Sequence, residues 1–264
     1  MSDYRNYKNA PNRVKECYKR QRINQTYKFA KFCKEKYCKF ENKDTFWNIF
    51  DKLVNFIDLS DPDINLSNDN HAYQTAESIR RDGHPDWMQL VGLIHDLGKI
   101  IYVKGCDEDG TSMETQWALV GDTYITGCKI PDTIVYPEFN KLNPDMNNSL
   151  LNTNNGLYKN NIGLDNVICS FGHDEYLYHL LKFNKVNLPK EAYYMIRYHS
   201  LYLWHTENEY SHLENNKDKD MKKWVKLFNK YDLYTKEDTV FNNNELREYY
   251  KKIVNKYLPN VIYF

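Results

Sequence analysis

Residues 87–101 read WMQLVGLIHDLGKII. Apart from His95, Asp96 and Lys99 the stretch is apolar nearly all round, which predicts a helix at the centre of the fold. Gly83-His84-Pro85-Asp86 precedes it, and a proline at the first helical position with an acid beside it suits a helix start. A histidine followed at once by an aspartate inside such a helix needs an explanation. An isolated carboxylate in an apolar interior is costly, and a buried neutral imidazole needs partners at both ring nitrogens. A lone core histidine is usually satisfied by ordinary hydrogen bonds; a metal would satisfy both groups together.

Outward from this helix the chain reads as further helices. Val14, Cys17, Tyr18, Tyr27, Ala30, Cys33 and Tyr37 recur at roughly helical intervals within charged residues 12–40. Asp44 can cap a helix whose apolar pairs run from Phe46–Trp47 to Phe56–Ile57. A turn-rich stretch leads to a short helix over 71–81, and helices are expected at about 174–183, 189–199, 219–231 and 244–257. The middle, 104–165, is rich in Gly, Asn, Asp and Pro and reads as loop, with QWALV (116–120) and TYITG (123–127) as short strands. The expectation is one all-α domain over residues 1–264 with minor strands in a loop-rich middle.

Composition bounds the partners. Lysine plus arginine balance aspartate plus glutamate at 36 each, with pI near 7.1, so no global field gathers nucleic acid or an anionic membrane. The N-terminus has no apolar signal-like region, and no apolar run is long enough to span a bilayer. The six cysteines form no C-x-x-C pair and suit reduced, buried thiols in a cytoplasmic protein.

The remaining histidines make His95-Asp96 more than a core pair. His71 lies one helix and one turn upstream; His173-Asp174 and His199 open or close later helices; Asp232 ends WVKLFNKYDLY (224–234). The order H…HD…H…H…D supplies four imidazoles and two carboxylates, enough for two metals sharing one carboxylate. Imidazole and carboxylate without thiolate suit Fe, Mn, Co or Zn. A shared aspartate would hold two ions roughly 3.5–4 Å apart, and Asp96, central and beside His95, is the best bridge. Lys99, three residues after Asp96 and four after His95, projects from the same helix surface. It could hold an anionic ligand or a deprotonated hydroxyl; the plainer reading is a snorkelling lysine or an ion pair.

The H…HDxGK spacing belongs to the broad HD-domain group of helical metal-dependent proteins. NHAYQTAESIR (70–80), LVGLIHDLGK (90–99), WALVGDTY (117–124), SFGHDEY (170–176), AYYMIRYHSLYLWHT (192–206) and FNKYDLYTK (228–236) together resemble the narrower myo-inositol oxygenase family over nearly the whole chain. The resemblance implies two irons, mixed-valence Fe(II)/Fe(III) when active: one on His71, His95, Asp96 and Asp232, the other on His173, His199 and the shared Asp96. It implies substrate contacts at Arg5, Asp58, Ser60, Lys99, Gly121, Asp122, His199 and Ser200, with Lys99 and Asp96 taking part in the chemistry. Residues 1–11 would form an N-terminal lid. Leu59 departs from the family, where that position is usually acidic.

The activity implied is ring cleavage of myo-inositol by O2 to D-glucuronate, a four-electron oxidation, in a cytoplasmic monomer with no nucleic-acid or membrane partner. The alternative is an HD-type phosphohydrolase acting on a nucleotide or phosphoester, which would favour an Arg/Lys cluster around the metals. A non-catalytic module keeping metal for stability fits less well, because open coordination positions signal reaction.

Overall fold

The computed structural model describes residues 7–62, 67–234 and 243–264. After a 3-10 turn at Tyr7–Asn9, helices α1 (Asn12–Asn24) and α2 (Tyr27–Tyr37) follow, broken at Gln25–Thr26, where the Thr26 side chain accepts from Phe29 N and caps α2. Strand β1 (Lys43–Asp44) leads to α3 (Phe46–Lys52). Thr45 rather than Asp44 caps α3 through Asn48 N, and the helix stops at Lys52, so Leu53–Val54 lies in a turn and Phe56–Ile57 in irregular chain. Next come α4 (Asn68–Arg81) and α5 (Asp86–Ile94), with Pro85 at the N-cap instead of the first helical position.

The central helix is shorter than its apolar pattern predicts. It ends at Ile94; His95 and Asp96 form a bend, and the chain continues as a 3-10 segment, Leu97–Lys104. In a 3-10 segment side chains at i and i+3 eclipse, which aligns Lys99 directly with Asp96.

The middle carries β2 (Ile125–Thr126), paired antiparallel with β3 (Ile168–Cys169), and short 3-10 turns. TYITG thus contains a strand, but QWALV does not: Gln116 has φ 50 and residues 117–119 are turns, because Gln116 folds back to bond Ile57 O and Met113 O. Then follow α6 (His173–Phe183), α7 (Lys190–Tyr198), α8 (Tyr202–His205), α9 (Asn216–Tyr234) and α10 (Asn243–Tyr257). Strand β4 (Ile262–Tyr263) pairs antiparallel with β1 and ties the C-terminal segment to the α2–α3 connection.

Two buried apolar clusters form. One gathers around α3–α6 and α10; the other gathers β2, β3, α7, α8 and the start of α9, and Trp224 packs against both. All six cysteines are free, and burial pushes the Cys128 and Cys169 thiols up to about 12. No helix among the described residues is long and apolar enough to cross a membrane.

Two glycines set the close approaches that matter for the site. A Cβ on Gly92 would lie 2.9 Å from Ala76 Cα, so α4 and α5 can pack tightly and bring His71 beside His95. A Cβ on Gly98 would lie 2.1 Å from His173 O, so the 3-10 segment can rest on the start of α6. Gly98→Ala should cost about 1–3 kcal/mol by overpacking and lower the thermal midpoint by about 2–12 °C in a calorimetric scan. An unchanged midpoint would show that the two segments separate freely.

Candidate metal centre

Each histidine of the predicted set sits on or beside a helix end or first turn, and the helices converge. His71 lies in the first half of α4, His95 caps the C-terminus of α5, His173 opens α6, His199 caps the C-terminus of α7, and Asp232 lies near the end of α9. All except His71 are buried, and His71 is partly so. Two clusters result. In the first, His71 Nε2 is 2.9 Å from Asp232 Oδ1 and 3.2 Å from His95 Nε2, with His95 Nε2 3.4 Å from Asp232 Oδ1. In the second, His173 Nε2 is 3.1 Å from His199 Nε2.

Asp96 stands between them and faces both. Its Oδ2 is 3.6 Å from His95 Nε2, and its Oδ1 is 3.2 Å from His173 Nε2. Asp96 Oδ2 also accepts from Lys99 Nζ at 2.9 Å, and Lys99 bonds Asp58 Oδ2 at the same distance. Lys99, only 4% exposed, is therefore an ion-paired lysine that also lines the pocket over the site.

The tautomers show why these imidazoles suit a cation. His95 Nδ1 donates to Gly92 O at 2.9 Å, His173 Nδ1 to Leu119 O at 2.6 Å, and His199 Nδ1 to Ile196 O at 2.9 Å. A carbonyl can only accept, so each Nδ1 carries the proton and each neutral ring presents a lone pair at Nε2. His173 and His199 then aim lone pairs at each other across 3.1 Å, which is unfavourable unless a proton or metal sits between them. Burial opposes a charge on His173, but Asp174 and Asp96 outweigh it and raise its pKa to about 10. Burial lowers His199. Asp96 and Asp232 lie well below the usual carboxylate range: burial opposes this, but Lys99 and the histidines around Asp96, and His71 and His95 around Asp232, prevail. Without metal, a proton on His173 relieves the repulsion; a metal would displace it. Nitrogen and carboxylate donors with backbone-fixed tautomers fit a pair of first-row ions.

The structure adds a third carboxylate. Asp174 Oδ1 is 2.7 Å from His173 Nε2 and 3.5 Å from His199 Nε2, and Asp174 also accepts from Ser200 N and Oγ at 3.3 Å. Its sequence signal was adjacency to His173, and the sequence alone could not show that both side chains turn to one point.

The clusters form one wall of a pocket of about 110 Å3 that opens to solvent. Asp58, Ser60, Lys99, Gly121, Asp122, His199 and Ser200 all line it, as do His71, Asp96, His173 and Asp232; His95 sits behind them. Arg5 falls outside the described residues. Asp58 Oδ1 accepts from Ser60 N and Oγ at 2.8 and 2.6 Å, which fixes both side chains in one turn. Leu59 packs against the main apolar cluster while its N–H donates to Gln116 Oε1 at 3.0 Å, so its lack of an acid leaves the polar wall intact. Gly121, at φ 90, lets the chain turn so that Asp122 faces the pocket.

Three tyrosines of this wall were not among the expected site residues: Tyr18 entered only through helical periodicity, Tyr202 only within AYYMIRYHSLYLWHT, and Tyr7 not as a contact. Tyr18 donates to Asp122 Oδ1 at 2.9 Å, Tyr7 OH lies 3.1 Å from Tyr18 OH, and Tyr202 joins them around the opening.

A family model described as Myo-inositol oxygenase matches residues 11–264. The chain belongs to the myo-inositol oxygenase family. Among its relatives is the inositol oxygenase of Dictyostelium discoideum, 44% identical over 269 residues covering 100% of this chain and 90% of the relative. That of Danio rerio is 44% identical, covering 99% and 93%. Inositol oxygenase 1 of Arabidopsis thaliana is 42% identical over 94% of this chain and 78% of its own length. Myo-inositol oxygenase membership thus covers every element that carries the histidine clusters.

Proposed function

We propose that this protein is an inositol oxygenase that cleaves the ring of myo-inositol with O2 to give D-glucuronate. The observation that carries the reading is Asp96, with one oxygen toward each histidine cluster and Lys99 held against it at the base of a polar pocket. Two irons are the metals this reading requires, one on His71, His95, Asp96 and Asp232, the other on His173, His199 and Asp96, in a mixed-valence pair when active. When bound, the irons supply a Lewis acid for two neighbouring substrate oxygens and electrons for O2.

The chain's own residues do the rest. Lys99 stays protonated: burial opposes this, but Asp58 and Asp96 raise its pKa. Its ammonium can stabilise the substrate oxygen that loses a proton. Asp58 and Asp122 accept hydrogen bonds from other ring hydroxyls, while Ser60, Ser200 and the Gly121 turn shape the wall around them. Of the lid expected over residues 1–11, residues 1–6 lie outside the described residues; Tyr7 lines the pocket and its carbonyl accepts from Tyr136 OH at 3.0 Å, as a segment that closes on substrate would. A covered pocket keeps water from the reacting carbons. The same reading makes the chain a single-domain, cytoplasmic monomer.

The phosphohydrolase alternative fits the pocket poorly. Among the described lining residues the only lysine or arginine is Lys99, already bound by two carboxylates, while Asp58, Asp61, Asp96, Asp122 and Asp232 face the same space. Away from the metal ligands the wall thus offers Asp58, Asp61 and Asp122 as acceptors for the hydroxyls of a neutral polyol, and no cluster of cationic side chains for a phosphoester. Under argon turnover should cease, and with O2 labelled with oxygen-18 one labelled atom should appear in the glucuronate carboxylate, the other leaving as water. Mass spectrometry of the product checks this. Hydrolysis of phosphoesters without any oxygen requirement would establish the alternative.

A further inference from the structure

A second, smaller cavity opens among α6, α7 and the start of α9 and shares no lining residue with the pocket over the histidines. In a chain of zero net charge its lining is strongly biased: Lys182, Lys190, Arg197 and Lys217 face a single carboxylate, Asp165. These cations differ in how they are held. Arg197, 5% exposed, is locked from behind by Glu175, its Nε at 2.7 Å and a terminal nitrogen at 3.1 Å, while its other terminal nitrogen reaches Asp165 only at 3.4 Å. Lys217 pairs with Asp165 at 2.6 Å. Lys182 and Lys190 have no carboxylate within ion-pair distance among the described residues. Lys182 instead lies over the Tyr193 ring at 4.4 Å, which positions its charge without neutralising it.

A separate observation points to a missing polar partner. Tyr198 lines the cavity, is 1% exposed, and its hydroxyl has no hydrogen-bond partner among the described residues. A buried hydroxyl left unpaired is costly, so a ligand acceptor there would be favourable. A fixed guanidinium, two unneutralised ammoniums and an unsatisfied phenol suit a compact anion with several acceptor oxygens. The concave shape and tyrosine walls suit a small molecule better than a flat macromolecular face.

We propose that this cavity binds a small phosphate-bearing anion, either inorganic phosphate or the phosphate of a monoester. The test is equilibrium dialysis of radiolabelled inorganic phosphate against iron-loaded protein under argon, with saturating myo-inositol to occupy the other pocket. One saturable site is expected. The Lys182→Gln/Lys190→Gln variant should weaken it at least about tenfold by loss of charge-assisted bonds, and Tyr198→Phe should weaken it about twofold to tenfold by loss of one hydrogen bond. Circular dichroism and iron content should stay unchanged in the double variant, whose two altered side chains are exposed. Tighter binding of a phosphate monoester in competition supports the site and makes a metabolite its ligand; equal affinity supports it and makes the free ion the ligand. Absence of saturable binding, or binding that the double variant leaves unchanged, overturns the proposal.

Discussion

His173→Ala should bind about one iron per chain where the wild type binds about two, by the two-site ligand count. The reason lies in the second cluster. His173 Nε2 is 3.1 Å from His199 Nε2 and 3.2 Å from Asp96 Oδ1, so its loss removes the group on which both converge. The first cluster keeps His71, His95 and Asp232, which touch one another without His173. Loss of a group behind a ligand typically costs about 10–100-fold in affinity or activity, and loss of a ligand should cost more. Activity on myo-inositol should therefore fall at least a hundredfold, while elemental analysis after anaerobic iron reconstitution reads the metal directly. A wild-type chain that holds a single iron would sink the dinuclear assignment, and a variant that keeps two would remove His173 from it.

Lys99→Ala should keep its iron and its helical circular dichroism but lose most activity. Protonated lysine has no acceptor lone pair and is not a ligand. Its removal leaves Asp96 facing the irons, and leaves Asp58, whose side chain is 23% exposed, open to water in the pocket. Neither carboxylate is stranded in an apolar interior, so folding should survive. What disappears is the cation beside the substrate oxygen. A hydrogen bond to a charged group is worth about 1.5–3 kcal/mol, so turnover should drop about tenfold to hundredfold or more. The split between kcat and KM matters, because a group that acts on the deprotonated oxygen should reduce kcat along with kcat/KM. Loss of iron or of folding would make Lys99 a structural ion pair; full activity would place the substrate on another face of the clusters.

What was legible in the sequence was local. The helices expected at about 71–81, 174–183, 189–199, 219–231 and 244–257 match α4, α6, α7, α9 and α10 to within a few residues. His95-Asp96 within LVGLIHDLGK could by itself have been an ordinary hydrogen-bonded core pair; it stood out only together with His71, His173, His199 and Asp232. The order of His71, His95-Asp96, His173, His199 and Asp232 along the chain was enough to suggest two ions sharing a carboxylate, and the longer motifs were enough to suggest the family.

Other features were settled only by contacts distant in the chain. The break at His95–Asp96 is invisible to periodicity, because 3-10 and α segments share the same apolar residues; the segment beyond it packs with Gly98 against His173 O. QWALV looked like a strand by composition, but Gln116 binds the carbonyl of Ile57, 59 residues earlier, and holds the segment in turns. Asp174 was read as a neighbour of His173, and only the packing of α6 against α7 turns its carboxylate onto both second-cluster histidines. Tyr18 reaches Asp122 across 104 residues, a pairing no local pattern encodes. Spacing along a helix can state which donor types exist and in what order. Which lone pairs meet depends on backbone approaches of a few ångströms between helices, and those are set by the packed fold as a whole.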